Sequence, residues 1–272
     1  MPELPEVETV RRSLELHVRG TTVTRVEGTE IALRRPLQPK ALAAVLIGRG
    51  LKAFRRRGKF LLADLDRGGS LLVHLGMTGR LHIATDEPHL PHTHLVLGLD
   101  DGRELRFVDA RRFGLVDWLA PGTEADDPSL RTLGVEPLDP KLEEQLPPVL
   151  HARRAAVKAL LMDQHLVAGV GNIYAAEALY RARIRPARAG NRTSLARLAN
   201  LARAVREVLT EAVEQGGTTL RDYATPEGGF GYFAVRLQVY GRQGQPCGAC
   251  GTILRSAVIA GRTTAWCPCC QR

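Results

Sequence analysis

The five cysteines of this 272-residue chain all lie within its last 26 positions, so they form one local group. Cys247 and Cys250 are separated by two residues, sixteen residues follow before Cys267, and two more separate Cys267 from Cys270. This spacing is typical of a zinc ribbon, in which four thiolates hold one structural metal ion and no coordination position stays open. Two disulfides are the alternative, but they do not suit a chain without a secretion signal, and Cys269 would be left over. We therefore expect the four paired cysteines to bind one Zn²⁺ and Cys269 to take no part.

The charge balance favours a polyanionic partner. The 38 lysines and arginines outnumber the 29 acidic residues, which gives a formal charge of +9 and a pI near 9.7. Such a surface suits nucleic acid, although simple solvation would also account for it. No apolar run reaches the roughly 20 residues that span a bilayer, and the charged N-terminus lacks the apolar segment of a signal peptide. We expect a soluble cytoplasmic protein that does not associate with membranes.

The N-terminus carries a candidate nucleophile. Removal of Met1 would leave Pro2 as a terminal secondary amine beside the carboxylate of Glu3. An α-amino group titrates near ~8 and a lysine near ~10.4, so far more of the α-amine is free base at neutral pH. Such an amine can attack a sugar carbon and form an iminium intermediate. The alternative is a structural leader, in which Pro2 and Pro5 precede a helix and Glu6 favours its positive end.

Hydrophobic periodicity predicts a β-rich part followed by a helical part. Apolar residues at three- and four-residue steps predict an amphipathic helix over 6–18. Short, alternating runs between 21 and 119 predict a β-sandwich or flattened barrel. Its expected strands are 22–26, 51–54, 60–65, 71–75, 81–84, 95–99, 104–108 and 115–119.

A proline-rich stretch is expected to separate the two parts. Pro137, Pro140, Pro147 and Pro148 should interrupt any regular element, so residues 134–148 are predicted to be a linker. Beyond it, helical spacing recurs over 153–164, 173–182 and 194–215. The fold class is therefore an α+β multidomain protein. Its expected domains are a β-sandwich domain over 1–133, a helical domain over 149–238 and the zinc ribbon over 239–272.

Several residues suit contacts with a phosphate backbone. Gly171 and Asn172 precede a predicted helix, and we expect Asn172 to cap it at a point where free N–H groups and the helix dipole favour an anion. Lys158, one helix earlier, could add charge. An ordinary capped helix hairpin is the alternative. In the β-rich part, Lys59 enters a strand as an isolated basic residue, which makes a functional role more plausible for it than for the solvated run of arginines before it.

Two further segments suit the insertion of side chains into a base stack. Met77 lies in a glycine-flanked turn after His74, and Arg111 is separated from Phe113 by one residue. Apolar wedges with an arginine are what proteins use to hold open the gap left by an extruded nucleotide. Met77 and Phe113 could equally be core residues, and His74 a structural histidine.

Taken together, these motifs resemble bacterial formamidopyrimidine-DNA glycosylases over essentially the whole chain, in the order of that family. The resemblance implies a catalytic β-sandwich, a helix-two-turns-helix DNA-binding domain and a zinc ribbon, with duplex DNA bound between the domains. It also implies a lesion-recognition loop at about 218–232. The motifs that carry it are Pro2–Thr9, Arg57–Leu61, His74–Gly79, Asp109–Gly114, Leu161–Glu177, Gly261–Thr264 and the four paired cysteines.

The resemblance also implies a role for individual residues. Pro2 attacks C1′ of the damaged nucleotide, Glu3 protonates the sugar and shuttles protons, and Glu6 supports the site. Met77, Arg111 and Phe113 correspond to the wedge. The implied phosphate contacts are Lys59, His74, Asn172, Arg262 and, less directly, Lys158.

The implied activity is bifunctional. A monomeric enzyme would flip an oxidised purine such as 8-oxoguanine or a formamidopyrimidine out of double-stranded DNA and break its glycosidic bond. It would then cut the strand as an abasic-site lyase by β,δ-elimination, acting at the bacterial nucleoid. An endonuclease VIII-like enzyme for oxidised pyrimidines and a non-catalytic RNA-binding zinc-ribbon protein are the alternatives.

Overall fold

The structure, a computed structural model, describes residues 2–217 and 237–272. Those residues form two compact units: 2–131 with 216–217, and 132–215 with 237–272. The predicted lesion-recognition loop at 218–232 lies outside the described residues. No described helix combines the length and apolar character needed to cross a membrane.

The first unit is built from strands, with helix α1 (Leu4–His17) before them and helix α2 (Pro39–Leu46) among them. Its strands are β1 (Val23–Gly28), β2 (Ile31–Ala32), β3 (Pro36–Leu37), β4 (Leu51–Arg57), β5 (Phe60–Leu65), β6 (Ser70–His74), β7 (Arg80–Ala84), β8 (Thr93–Leu99), β9 (Glu104–Val108) and β10 (Leu115–Leu119).

Two antiparallel four-stranded sheets form the predicted sandwich, which is thus confirmed. Their strand orders are β1-β8-β9-β7 and β10-β6-β5-β4. Apolar side chains of both sheets and of α1, including Val7, Val10 and Leu14, form one buried cluster. Full burial of each such side chain contributes roughly 1.5–3 kcal/mol, so this cluster is the main source of stability for the unit.

Helix α2 was not expected inside the β-rich part. It has only eight residues, too few for a helical period to stand out from the surrounding strands. Pro39 occupies its first turn, and Leu42 and Leu46 are buried. Tertiary burial of these leucines therefore decides its conformation.

The second unit contains four helices and a hairpin among its described residues. The helices are α3 (Leu142–His151), α4 (Val157–Met162), α5 (Asn172–Arg181) and α6 (Leu195–Glu214), and the hairpin strands are β11 (Arg255–Ile259) and β12 (Arg262–Trp266). Ser194 caps α6 by accepting the N–H of Arg197. Helix α6 packs against both α3 and α5.

The expectation that the prolines interrupt any regular element is wrong for two of them. Helix α3 continues through Pro147 and Pro148. Proline removes an N–H donor, but burial of apolar side chains against α6, together with ion pairs from Glu143 to Arg203 and Arg206, outweighs that loss. The predicted domain boundaries remain a prediction.

The helix expected over 153–164 is shorter than predicted. It begins at Val157, whose N–H donates to the carbonyl of Arg188 at 2.8 Å, and Ala156 forms an antiparallel bridge with Ala189. This pairing with a distant segment holds residues 153–156 outside the helix.

A buried carboxylate attaches the chain entering the ribbon to α5. Glu177 accepts the backbone N–H groups of Gln238, Val239 and Tyr240 at 2.8, 3.0 and 2.8 Å. Three N–H donors replace the water that this carboxylate loses on burial. The segment before the ribbon is thereby fixed on the helix that starts at Asn172.

Candidate active site

Helix α1 runs antiparallel to β4, which decides where the N-terminus lies in the first unit. Near the end of the helix, Glu15 accepts the N–H of Phe54 at 2.8 Å. One to two turns earlier, Glu8 forms an ion pair with Arg56 at 3.1 Å. Because β4 ends at residue 57 and a two-residue turn follows, the start of α1 lies toward the same end of the sheet as Lys59.

Two buried carboxylate side chains lie at the start of α1. Glu6 Oε2 accepts the backbone N–H of Glu3 at 2.8 Å, within a capping box. The two residues are only 3% and 2% exposed, and Pro2 before them is also buried. The backbone next to Pro2 is therefore fixed by the first turn of a helix.

Gly217 lies directly against Glu6. A Cβ on Gly217 would come within 3.0 Å of Glu6 Oε1, and the residue has a φ of +80°. Both the close approach and the left-handed backbone favour glycine at this position. The segment that leads into residue 218 thus touches the carboxylate pair.

Lys59 and His74 occupy neighbouring positions in the same sheet. Lys59 completes the β4–β5 turn, where Gly58 takes a left-handed φ of 56°. His74, the last residue of β6, pairs with Phe60, and their ring centroids are 4.7 Å apart. Lys59 and His74 are both buried. The structure therefore brings together two of the predicted phosphate contacts.

His74 is neutral in the protein. Burial lowers its pKa to about 3, and the charges of Arg34 and Lys59 contribute to that shift. The backbone N–H of Gly76 donates to His74 Nδ1 at 2.9 Å, which places the imidazole proton on Nε2. His74 can therefore donate one hydrogen bond through Nε2 but carries no charge.

Arg34 is a residue that the sequence reasoning missed. It is exposed, and its charge acts on buried His74, so it adds a positive charge beside Lys59 and His74. Its backbone N–H donates to the carbonyl of Gly114 at 2.9 Å. No local pattern distinguishes Arg34 from other surface arginines, because only the packing of distant segments places it here.

The three predicted wedge residues lie on two loops that one buried carboxylate holds together. Asp109 accepts the hydroxyl of Thr78 at 2.6 Å, the N–H of Arg111 at 3.2 Å and the N–H of Gly114 at 2.8 Å. A Cβ on Gly76 would lie 2.4 Å from the Phe113 carbonyl carbon, so the loops are in close contact. Asp109 belongs to the Asp109–Gly114 motif, but no sequence pattern indicates that its carboxylate holds these two loops together.

The wedge side chains themselves remain available for contact. Met77 is half-buried, Phe113 is 45% exposed, and the guanidinium carbon of Arg111 lies 4.9 Å from the centre of the Phe113 ring. This cation–π contact holds an aromatic ring and a charge together at the surface.

The second unit brings together three other predicted site residues. Lys158, fully buried, donates from Nζ to Asn172 Oδ1 and to Thr264 Oγ1. Asn172 also donates to the carbonyl of Thr263 at 3.3 Å, and exposed Arg262 begins the same strand. Lys158 is thus a link between α4, α5 and β12 rather than an exposed cation.

The expected capping role of Asn172 is wrong. Gly171 is the N-cap residue and Asn172 is the first residue of α5. The Asn172 side chain turns to Lys158 and to the carbonyl of Thr263, because a buried ammonium needs an oxygen acceptor.

The cysteines fit a single zinc ion. The Sγ atoms of Cys247, Cys250, Cys267 and Cys270 all lie within 4.8 Å of one another. A tetrahedral site with Zn–S bonds of about 2.3 Å has sulfur atoms about 3.8 Å apart, so small shifts suffice. The Tyr180 hydroxyl lies 3.2 Å from Cys247 Sγ and can support that ligand.

Comparisons with known proteins agree along the whole chain. The model of the formamidopyrimidine-DNA glycosylase N-terminal domain matches residues 1–116, that of its H2TH domain matches 133–224, and that of the zinc finger found in FPG and IleRS matches 244–272. The formamidopyrimidine-DNA glycosylase of Xanthomonas euvesicatoria pv. vesicatoria (strain 85-10) is 48% identical over 275 residues, and the alignment covers 100% of both chains.

The chain belongs to the formamidopyrimidine-DNA glycosylase family.

Solved structures of this family share the fold. The MutM (Fpg) protein of Thermus thermophilus has a TM-score of 0.89 at 45% identity, with 99% of this chain and 98% of that chain covered. A Lactococcus lactis Fpg variant in complex with Fapy-dG-containing DNA has a TM-score of 0.91 at 32% identity, with 100% of each chain covered. The Lactococcus protein has also been crystallised with DNA that contains an abasic site or an oxidised pyrimidine.

Family membership confirms the predictions for fold class, enzyme class and metal. The chain is a DNA-repair glycosylase of this family, and its four clustered cysteines bind one structural zinc ion. Cys269 is exposed and stands outside the cluster. The roles of the individual site residues remain predictions.

The zinc assignment predicts different effects for two cysteine changes. Cys250→Ser should release the zinc and unfold the ribbon, because metal binding supplies much of the folding free energy of such a small element. Cys269→Ser should retain one zinc per chain. Metal analysis of both purified variants checks this, and loss of zinc from the Cys269 variant would show that the ligand set is wrong.

Burial of neutral His74 predicts acid sensitivity in the first unit. Its folded pKa lies below the unfolded value of about 6.5, so between these values the unfolded state binds the extra proton and stability rises with pH. Lowering the pH from 7 to 5 should therefore cost about 2 kcal/mol of unfolding free energy through His74 alone. His74→Gln should remove that loss.

Urea unfolding at both pH values, followed by Trp118 fluorescence in a Trp266→Phe background, measures this effect. His89→Gln is the matched control, since His89 is an exposed histidine. Equal acid sensitivity in the parent and in His74→Gln would contradict the inferred neutral state.

Proposed function

We propose that this enzyme excises oxidised purines from double-stranded DNA with the amine of Pro2 as nucleophile, and then cuts the strand at the resulting abasic site. The observation that carries the proposal is the buried Glu3–Glu6 pair beside Pro2, in a chain of this glycosylase family. A rigid helix start fixes the approach of the amine, and a buried carboxylic acid next to it can exchange protons with the sugar.

The chemistry requires the damaged nucleotide to leave the stack. Flipping costs a few kcal/mol and costs less for a lesion than for an intact pair. The Pro2 nitrogen then attacks C1′, and the base departs with the electron pair of the glycosidic bond. Glu3 protonates the sugar ring oxygen as the ring opens, and the amine loses its proton to give an iminium ion. Glu6 holds the Glu3 backbone in place.

The iminium ion makes the 2′ proton of the sugar acidic. Its removal expels the 3′ phosphate by β-elimination, and a second elimination expels the 5′ phosphate. A one-nucleotide gap remains, and hydrolysis of the iminium restores the Pro2 amine. Zinc has no open coordination position in a four-thiolate site, so its role is structural.

Both charged and neutral side chains would donate hydrogen bonds to the backbone phosphates. Lys59 and Arg262 can neutralise phosphate charge, whereas neutral His74 and Asn172 can only donate hydrogen bonds. Lys158 would act indirectly, because its buried Nζ positions Asn172. Removal of a charged contact should therefore change the salt dependence of binding, and removal of a neutral one should not.

The wedge would fill the gap in the duplex. Met77, Arg111 and Phe113 offer apolar surface and a guanidinium on loops that Asp109 holds in one arrangement. We expect the enzyme to act at the bacterial nucleoid, where its DNA substrate is found. Oxidised pyrimidines are the alternative substrate class, since the Lactococcus relative has been crystallised with such DNA.

The proposed nucleophile predicts N-terminal processing. While Met1 is attached, the Pro2 nitrogen is an amide without a basic lone pair, so active enzyme must begin at Pro2. Intact-mass analysis should show loss of one methionine, and borohydride should trap a covalent complex with DNA that contains 8-oxoguanine. Full trapping by a chain that keeps Met1 would overturn the assignment.

Glu3→Gln separates the two activities. It should lose base excision, because that step needs the acid. It should keep some cleavage at a preformed abasic site, because the sugar there already has an aldehyde with which the amine can react.

The substrate class is tested separately. Parallel assays on 8-oxoguanine and oxidised-pyrimidine duplexes with the parent enzyme decide between the two substrate classes.

The wedge assignment predicts a substrate-dependent loss. Met77→Ala and Phe113→Ala should reduce processing of a lesion in duplex DNA far more than cleavage of a preformed abasic site, because the wedge offsets the cost of flipping. Leu16→Ala, an equally apolar truncation at an exposed position of the same unit, is the control. Equal losses on both substrates would indicate a packing role instead.

A further inference from the structure

A groove with a volume of about 1140 Å³ lies in the second unit, and none of the predicted site residues lines it. The segment before α4, the α5–α6 connection, the base of the β11–β12 hairpin and the C-terminal residues form its walls. We call it the arginine groove, after the six arginines that line it: Arg154, Arg185, Arg188, Arg192, Arg255 and Arg272.

The arginine groove has no acidic lining residue. Within the part of the chain that the structure describes, none of its six guanidinium groups forms an ion pair with an aspartate or glutamate side chain. Several arginines elsewhere in the protein differ, since Arg35, Arg55 and Arg56 each pair with carboxylates. The lining side chains therefore concentrate positive charge in the groove.

One groove arginine acts electrostatically on a residue beside the groove. Burial and the charge of Arg188 together lower the pKa of neighbouring Arg197. Backbone and ring contacts nonetheless hold the groove arginines in place, since Arg188 donates twice to the carbonyl of Arg192 and Arg185 lies 6.0 Å from the centre of the Trp266 ring. Like charges fixed close together cost folding free energy, and a bound polyanion would relieve that cost.

The groove adjoins the predicted phosphate site of the same unit. The N–H of Lys158 donates to the carbonyl of Pro186, which lies between the lining residues Arg185 and Ala187, and its Nζ donates to Asn172. One lysine side chain thus separates the two places. In the hairpin, Arg262 and Trp266 stand at opposite ends of β12, about 13 Å apart at 3.3 Å per residue.

We propose that the arginine groove binds backbone phosphates of the DNA that flanks the lesion. The proposal rests on the proposed function, because it assumes that the duplex contacts Asn172 and Arg262. Along the axis of a duplex, a distance of about 13 Å spans about four phosphates of one strand, at 3.4 Å per phosphate. A guanidinium group can donate two parallel hydrogen bonds to one phosphate. Such contacts to the DNA backbone do not depend on the base sequence. Continuity with a DNA site favours this occupant over an acidic peptide.

The test compares duplexes that carry the same non-cleavable abasic-site analogue. The short duplex ends about four base pairs from the lesion on each side, so that its phosphates do not reach the arginine groove. The long duplex extends a further helical turn and reaches it. The groove variant is Arg154→Gln/Arg192→Gln/Arg255→Gln. The control, Arg19→Gln/Arg25→Gln/Arg67→Gln, removes equal charge from exposed arginines of the first unit.

The groove variant should bind the long duplex more weakly than the control, and its log affinity should depend less steeply on log salt, by about 0.9 for each of the three contacts. On the short duplex, the groove variant, the control variant and the parent enzyme should bind alike. Equal affinities and slopes for the groove variant and the control on the long duplex would overturn the proposal. So would a loss of equal size on both duplexes.

Two further readouts separate the possible failures. Borohydride trapping by the groove variant on a short 8-oxoguanine duplex should equal that of the parent enzyme. If the parent itself fails to trap, the proposed function is wrong, while the length dependence still tests the groove. If poly-glutamate binds the parent through these arginines and the long duplex does not compete with it, the groove serves a protein partner and the proposal is wrong.

Discussion

Burial of charge is the constraint on which both units depend. An ionised side chain in the interior costs free energy unless hydrogen bonds replace its water. Asp109, Glu177 and Lys158 meet this requirement, each by joining segments that are far apart in the sequence. Loss of one partner would leave a buried charge unsatisfied, which costs more than the bond itself contributes. These residues therefore fix the loops, the ribbon attachment and the start of α5 in single arrangements.

The same burial decides protonation states at the site. His74 is held neutral by its burial and by nearby positive charges, so it can donate a hydrogen bond in a fixed direction but carries no charge. Lys59, one strand away, supplies the charge. A mixed grip of this kind can orient a phosphate through neutral donors while the cations provide attraction at longer range. Glu3 and Glu6 are also buried, and the Glu3 N–H donates to Glu6 Oε2 at the start of α1.

The basic run of the first unit and the arginine groove of the second differ in how their arginines are paired. In the first, Arg55 and Arg56 follow one another in the basic run, yet both pair with carboxylates and contribute little net field. In the second, the arginine groove gathers guanidinium groups without acidic partners among the described residues. A formal charge of +9 predicts a polyanion, but it does not say where the polyanion binds.

The metal site and most of the framework could be predicted from the sequence. Cysteine spacing identified the four ligands, because a ribbon can be built only from ligands close together in the chain. Short runs rich in apolar and β-branched residues identified the strands from β4 to β10 to within three residues at each end, because such runs between turn residues are typical of strands. Family resemblance supplied the enzyme class, which the comparisons confirm.

Other features follow only from tertiary packing. These are that α3 continues through Pro147 and Pro148, that α2 is a helix, and that Asn172 turns to Lys158 instead of capping α5. Tertiary packing also decided that Arg34 acts on His74 and that Asp109 joins the wedge loops. Each of these depends on groups far apart in sequence, whose burial and hydrogen bonding outweigh local preference, and no local pattern records them.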